Sequence, residues 1–289
     1  MQKDSIVIVG KGQTKHSAAI CSVLKYVFLA LIVFISMAPL VWVVFSSFKT
    51  NSEILSSGLS LPSHWNLNGY FQAFQIAPLP MYFANSLLVA VVSTALNVFI
   101  MAMSSYVIAR FDFKFKGVVV FLLSISLMIP MTALMNPVFA VVKSMGLYDT
   151  YGGLILVYTA IGIPMSMLIL RSTFLGIPNS LEEAAEIDGA GFFRVFIQIA
   201  MPVAKSGIAC AAVLQFLTCW NEFLFSLLLT SSESVRTLPL SLSYFTSQFS
   251  FNYTAMFAAI VISVIPSIVI FAVFQEQVVS SLTAGAVKG

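Results

Sequence analysis

Long apolar runs separated by short polar segments dominate the chain from Lys25 onward. A helix crossing the hydrocarbon core of a bilayer needs about 20 predominantly apolar residues. The stretch between Lys25 and Lys49 predicts a first span over roughly 25–46, and a second is predicted over roughly 82–108. Between them, "SSGLSLPSHWNLNGYFQAFQIAPLP" carries no Lys, Arg, Asp or Glu but is rich in Ser, Pro, Asn and Gly, the composition of a loop. Windows bounded by charges at Lys116–Lys143, Asp149–Arg171, Lys205 onward and Arg236–Glu276 predict four more spans, the last ending near Gln275. The expected fold is all-α: a polytopic membrane protein with six transmembrane helices. Residues 1–22 are expected to form a basic cytoplasmic tail and 23–289 the membrane domain.

Composition agrees with lipid exposure. The chain is 59% hydrophobic and 9% charged, with a mean hydropathy of +0.98. Soluble domains are about 45–50% apolar and about 25% charged. So few charges cannot cover a soluble core of this size, so most of the surface must face a bilayer. A net charge of +3 gives no reason to expect a nucleic-acid partner. The first apolar run exceeds the about 7–15 residues of a secretory signal core and lacks an A-x-A cleavage site, so it is expected to stay as a membrane helix.

Basic residues orient the spans. With the amino terminus inside, the inner segments carry Lys3, Lys11, Lys15, Lys25, Arg110, Lys114, Lys116, Arg171, Arg194, Lys205 and Lys288. The outer segments carry only Lys49, Lys143 and Arg236, the remaining three of the 14 basic residues. By the positive-inside rule, both termini are cytoplasmic.

Catalytic and cofactor chemistry find little support. "IVIVGKGQTKHS" suggests a nucleotide loop, but G-x-x-x-x-G-K-[ST] needs a glycine where Lys15 stands, five residues after Gly10. The chain is expected to bind no ATP and no other cofactor itself. The two histidines, His16 and His64, fall on opposite sides of the membrane, and no Cys/His cluster suggests a metal. No nucleophile, acid and base assemble, so the chain is not expected to be an enzyme. Glu222 is the one acid within a predicted span, about 22 Å along the fifth helix from Gly207 at about 1.5 Å per residue. With Trp220 and Asn221 it forms a candidate solute pathway, the ring stacking on a polyhydroxylated solute. The other reading is an interfacial anchor, with Trp at headgroup level and Glu reaching water. Pro39, Pro130, Pro137, Pro164 and Pro266 fall within spans, either as kinks around a pathway or as ordinary membrane-helix bends.

One segment departs from the apolar pattern. "NSLEEAAEIDGAGFFRVFIQIAMP" at 179–202 holds Glu182, Glu183, Glu186 and Asp188, four of the eleven acids. "SLEE" fits the capping box S-x-x-E, with Ser180 accepting from the amide of Glu183. Glu182 and Glu183 then lie in a first turn, where the helix dipole favours acids. Leu181, Ala184 and Ala185 make a small apolar face, and Gly189 and Gly191 allow sharp turns. A second short helix follows, with Phe192, Phe193, Phe196, Ile197 and Ile199 as its apolar side, and Pro202 starts the fifth span. This cytoplasmic helix–turn–helix, within a loop over 178–202, is either a docking element for another protein or a tethered interfacial loop.

The same residues resemble the EAA loop of ATP-binding-cassette importer permeases: E-A-A, three residues, Gly, nine residues, Ile, one residue, Leu-Pro. Here the matching positions are Glu183-Ala184-Ala185, Gly189, Ile199 and Met201-Pro202, with Met for Leu the only departure. "IDGA" within the loop, "LTAGAVKG" at 282–289, "NSLLVA" in span two and "WNEF" in span five are similar to the maltose-type permeases for sugars and polyols. The resemblance implies a permease subunit in a bacterial or archaeal cytoplasmic membrane. It also implies four partners: a second homologous permease, two cytoplasmic ATPase subunits that bind the ATP, and an extracytoplasmic solute-binding protein. Glu183, Ala184, Ala185, Asp188 and Gly189 would then couple to an ATPase. The tail 276–289, with Thr283, Ala284, Gly285 and Lys288, would reach between the ATPase subunits. The alternative is a stand-alone secondary carrier or facilitator, which would call for intramembrane acid or histidine relays or an internal repeat.

Overall fold

The computed structural model describes residues 15–245 and 251–286. Helix α1 (Lys15–Ser46) begins within the predicted tail and runs unbroken past Pro39. Its apolar side chains from Val23 to Ile35 are exposed, as a lipid-facing helix requires. The predicted loop that follows holds two helices, α2 (Asn51–Ser56) and α3 (Asn68–Ile76). Thr50 and Glu53 close a capping box on α2, with Glu53 N–H donating to Thr50 Oγ1 at 3.3 Å and Thr50 N–H to Glu53 Oε2 at 2.8 Å.

Helix α4 (Leu79–Arg110) is continuous over 32 residues. Pro80 lies in its first turn, where a missing N–H breaks no helical bond. The predicted third span is not one helix. Helix α5 (Lys116–Ser126) and the segment Met131–Ser144, which includes α6 (Met135–Ser144), meet at a bend of 104°. The turn before Pro130 ends α5 after 11 residues, about 16 Å of rise, well short of a bilayer core.

The fourth predicted span is likewise two helices, α7 (Tyr151–Ile161) and α8 (Ile163–Leu175), bent by 46° at Gly162 and Pro164. The segment with the acidic island folds as α9 (Asn179–Ile187), α10 (Phe192–Val195), a π turn over Phe196–Ala200 and α11 (Met201–Val203). The fifth span starts at Lys205, not at Pro202: α12 (Lys205–Trp220) leaves the preceding segment at 76°. Helix α13 (Leu224–Leu229) and two 3₁₀ segments lead to α14 (Tyr253–Ala286), which continues through Pro266. Among the described residues, three unbroken helices are long and apolar enough to cross a membrane: Ser22–Ser46, Leu79–Arg110 and Tyr253–Ser280. Two of the five predicted kink prolines, Pro39 and Pro266, therefore lie within continuous helices, while Pro130 and Pro164 lie at breaks.

Helix α4 is the central element, packed against α7, α8 and α12, with α12 in turn against α14. The buried apolar residues form two clusters along it, one around Tyr82, Val89, Trp220 and Phe225, the other around Met101, Tyr106, Phe174 and Phe196.

The break between α7 and α8 is built into the packing. It frees the carbonyls of Tyr158 and Thr159, and unpaired backbone groups are costly in lipid. Gln215 Nε2 on α12 donates to Tyr158 O at 2.9 Å, and Asn97 Nδ2 on α4 to Thr159 O at 2.8 Å. Ser166 Oγ completes the network at 2.5 Å from Asn97 Oδ1. Gly162 makes room for it: a Cβ there would lie 1.7 Å from Gln215 Oε1.

Candidate functional site

Helix α9 carries the candidate coupling residues, and its start differs from the predicted capping box. Its N-cap is Pro178, with no side-chain cap bond, and Ser180 lies inside the helix. Only Glu182 remains in the first turn; Glu183 belongs to the next. Proline at the helix entry moves the start ahead of Ser180, so the serine no longer faces the free amides.

Glu182 is the one buried residue of α9. Its Oε1 accepts from Arg110 Nη2 at 2.7 Å and Nε at 2.9 Å, and its Oε2 accepts from Tyr106 Oη at 2.9 Å. Both side chains of the ion pair are 10% exposed. Arg110 Nη2 also donates to Ile177 O at 2.9 Å, holding the chain that enters α9. Tyr106 and Arg110 lie four apart near the end of α4, so one helical face grips one carboxylate. The Tyr106 ring packs on Phe196 and Phe174, at centroid distances of 5.0 and 5.4 Å, and on Phe192 at 5.7 Å.

The C-terminus of α9 is a Schellman motif. Ala190 N–H donates to Ala185 O and Gly189 N–H to Glu186 O, both at 2.9 Å. Gly189 supplies the left-handed residue this motif needs, with φ +82°. Gly191 has φ −76° and serves as the N-cap of α10, so the turn demands only one of the two glycines.

The remaining candidates on α9 face outward. Glu183, Ala184, Asp188 and Gly189 are exposed, and Ala185 is half-buried. Leu181 is exposed beside them, and Ile187 is 86% exposed. Glu186 and Asp188 sit at the negative end of the helix dipole, where acids do nothing for helix stability. In the segment that follows, Val195, Phe196 and Ala200 turn inward, while Phe192, Phe193 and Ile197 are exposed. The predicted apolar side of the second helix is thus divided between two faces by the π turn.

The trio at 220–222 is divided by the structure. Helix α12 ends at Trp220, so Glu222 lies beyond it rather than along its face. Trp220 is 1% exposed, stacks on Phe216 at 5.7 Å and donates its indole N–H to Ser263 O at 2.9 Å. A ring packed on that side is neither open to a solute nor at a headgroup surface. Glu222 accepts from Tyr158 Oη at 2.7 Å and from the backbone amides of Phe225 and Ser226 at 2.9 and 3.1 Å, starting α13. Asn221 has the exposed side chain, its Nδ2 donating to Leu217 O at 2.8 Å.

The opposite end of α4 is also held to another element. Asn85 Nδ2 donates to the carbonyls of Ser234 and Arg236 at 2.8 and 2.9 Å, Ser86 Oγ accepts from Leu238 N–H at 2.7 Å, and Tyr82 Oη pairs with Tyr244 Oη at 2.8 Å. Asp149, between α6 and α7, accepts from the amides of Ser231 and Ser232 at 2.8 and 2.9 Å. Hydrogen bonds from the Ser232 side chain and these amides hold its carboxyl below the usual range.

At the carboxyl end, Thr283, Ala284 and Gly285 continue the backbone of α14 as helix, and Lys288 lies outside the described residues. Among the described residues, no group of three or more His, Cys, Asp or Glu side chains could hold a metal. Arg110, Tyr106 and the pairing role of Glu182 were missed from the sequence. The available signal was an arginine closing an apolar span and an acid next to the EAA triplet, but nothing in the spacing pairs residues 72 apart.

The family described as binding-protein-dependent transport system inner membrane component matches residues 99–283. The diacetylchitobiose uptake system permease protein NgcG of Streptomyces coelicolor is 37% identical over 256 residues, covering 88% of this chain and 85% of the relative. The sulfoquinovosyl glycerol transport system permease protein SmoH of Agrobacterium fabrum is 33% identical over 267 residues, covering 92% and 94%. The trehalose transport system permease protein SugB of Mycobacterium tuberculosis is 33% identical over 261 residues, covering 90% and 95%. Among solved structures, a chain of a bacterial ABC transporter involved in import of the acidic polysaccharide alginate superposes with a TM-score of 0.78 at 20% identity, covering 91% of this chain and 98% of that one, a likeness of fold. With its long apolar helices and its match over well more than half its length, the chain is an integral membrane protein that belongs to the family of binding-protein-dependent transport system inner membrane components.

Proposed function

We propose that this chain is the permease subunit of an ATP-binding-cassette importer that carries a sugar or polyol into the cell, driven by ATP bound and hydrolysed on partner chains. The observation that carries this reading is the build of α9. The helix is anchored through one buried carboxylate and presents Glu183, Ala184, Asp188 and Gly189 to the outside. Small residues let another protein approach closely, and two acids at the unfavourable end of the helix dipole suit a basic groove. In this reading Glu183, Ala184, Ala185, Asp188 and Gly189 meet a cytoplasmic ATPase, and Thr283, Ala284, Gly285 and Lys288 reach between two ATPase subunits. A second homologous permease completes the membrane unit, and an extracytoplasmic solute-binding protein delivers the solute.

The carbohydrate assignment draws on the named relatives, which take up diacetylchitobiose, sulfoquinovosyl glycerol and trehalose. The membrane is a bacterial or archaeal cytoplasmic membrane, with both termini inside. The chain crosses it six times if each bent pair serves as one crossing. Of the trio at 220–222, Asn221 alone keeps an open side chain, so the pathway proposal narrows to it. The test is tagged purification from native membranes followed by uptake in proteoliposomes. Copurification with an ATPase and a second permease is expected, with sugar accumulation that requires ATP and a solute-binding protein. Uptake by this chain alone, without ATP, would overturn the proposal in favour of a stand-alone carrier.

A further inference from the structure

We infer that the Arg110–Glu182 pair is the linkage through which movement of α9 enters the membrane domain, and that α4 carries it to the opposite face. This rests on the reading of α9 as the element an ATPase moves. Three observations support it. Glu182 is the one buried side chain of α9, so besides the helix's covalent ends and its packing on α10 and the π turn, its carboxylate is the polar route inward. That route ends on α4 alone, since Arg110 and Tyr106 both belong to it. Helix α4 then runs unbroken to Asn85, 25 residues away and about 37 Å along the axis at about 1.5 Å per residue.

At that far end, Asn85, Ser86 and Tyr82 bind Ser234, Arg236, Leu238 and Tyr244 in the segment between α13 and α14. The other paths from α9 are less direct. The chain leaving it passes through a π turn and a 76° bend before α12, and the chain entering it comes from α8, itself broken from α7 by 46°. Bends absorb displacement, whereas a continuous helix clamped at both ends transmits it. Helix α4 is held at the far clamp through backbone groups and a tyrosine hydroxyl, and at the near one through a charge pair. Arg110 and Glu182 are thus positioning residues: they touch neither solute nor nucleotide and act on transport by joining two elements.

The experiment uses the copurified transporter in proteoliposomes, with spin labels at Leu59→Cys and Ser231→Cys in a chain carrying Cys21→Ser. Wild-type protein is expected to change the distance between these labels on binding ATP. Glu182→Gln should still assemble and retain unstimulated ATP hydrolysis, but lose the larger part of the distance change and about tenfold of the stimulation by solute-loaded binding protein, within the usual range of coupling between sites. The exchange Arg110→Glu with Glu182→Arg should recover most of both. Tyr106→Phe, which removes one hydroxyl, should give a partial loss and serves where Glu182→Gln fails to assemble. A full distance change and full stimulation in Glu182→Gln or Tyr106→Phe would overturn the linkage, as would an exchange no better than the single variants. A wild-type chain that brings down no ATPase would overturn the functional reading, and the linkage with it.

Discussion

Two irregular places in this molecule are secured by opposite chemistry. The break between α7 and α8, deep in the packed helices, is held by neutral amides: Gln215 on Tyr158 O and Asn97 on Thr159 O. The joint between α9 and α4 is held by an ion pair, Glu182 on Arg110. Within lipid, freed carbonyls need donors, and a charged donor would bring a desolvation cost that a carboxamide avoids. At the end of a span a charge pair is less costly, and it is more directional than packing. The comparison separates a fixed kink, stitched from both sides, from a hinged element gripped at one point.

The comparison can be broken first at the ion pair. Arg110→Ala leaves the Glu182 carboxylate buried without its cation, and such a loss costs about 3–5 kcal/mol. Because Glu182 is the only buried residue of α9, the expected response is local: α9 swings free and exposes the carboxylate. Hydrogen exchange should rise across 178–191 and stay unchanged across 155–170. Protection lost equally in both regions would mean that the two sites are one structural unit.

The kink gives the next effect. Gly162→Ala displaces the Gln215 carboxamide, and Gln215→Leu removes it, so each strands the Tyr158 carbonyl at about 1–3 kcal/mol. The double variant should be little worse than either single one, since both delete the same bond. Thermal unfolding in detergent measures this, and additive losses would show that Gly162 serves some other contact.

The smallest effect separates the two glycines after α9. Gly189→Ala forces an L residue to φ +82° and should cost about 1 kcal/mol, whereas Gly191→Ala, at φ −76°, should be neutral within about 0.5 kcal/mol. Equal stabilities would mean that the Schellman turn relaxes without its glycine.

Much of this architecture was legible in the chain. Apolar runs over 25–46, 82–108 and toward Gln275 became α1, α4 and α14, because a backbone in lipid must satisfy its own hydrogen bonds and a helix does so from local sequence alone. In the island at 179–202 the first helix and its glycine turn were legible, and the family from its motif, whereas the helix start at Pro178 and the π turn that interrupts the second helix were not. The breaks were not legible. Pro39 and Pro266 lie within continuous helices, while Pro130 and Pro164 lie at bends; proline marks a weak point, and the neighbours decide whether the helix parts there. From sequence Trp220 is either a solute-stacking ring or an interfacial anchor, and in the fold Phe216, Phe83 and Ser263 enclose it.

The sequence by itself thus determined the membrane class, the long helices and the motif-bearing loop, all of which depend on residues close in the chain. Only the tertiary structure decided which acid is exposed and which is buried. Glu182 and Glu183 are adjacent and chemically alike, yet one meets Arg110 across 72 residues and the other faces outward. The difference is about one helical step of rotation, set by how α9 lies against α4.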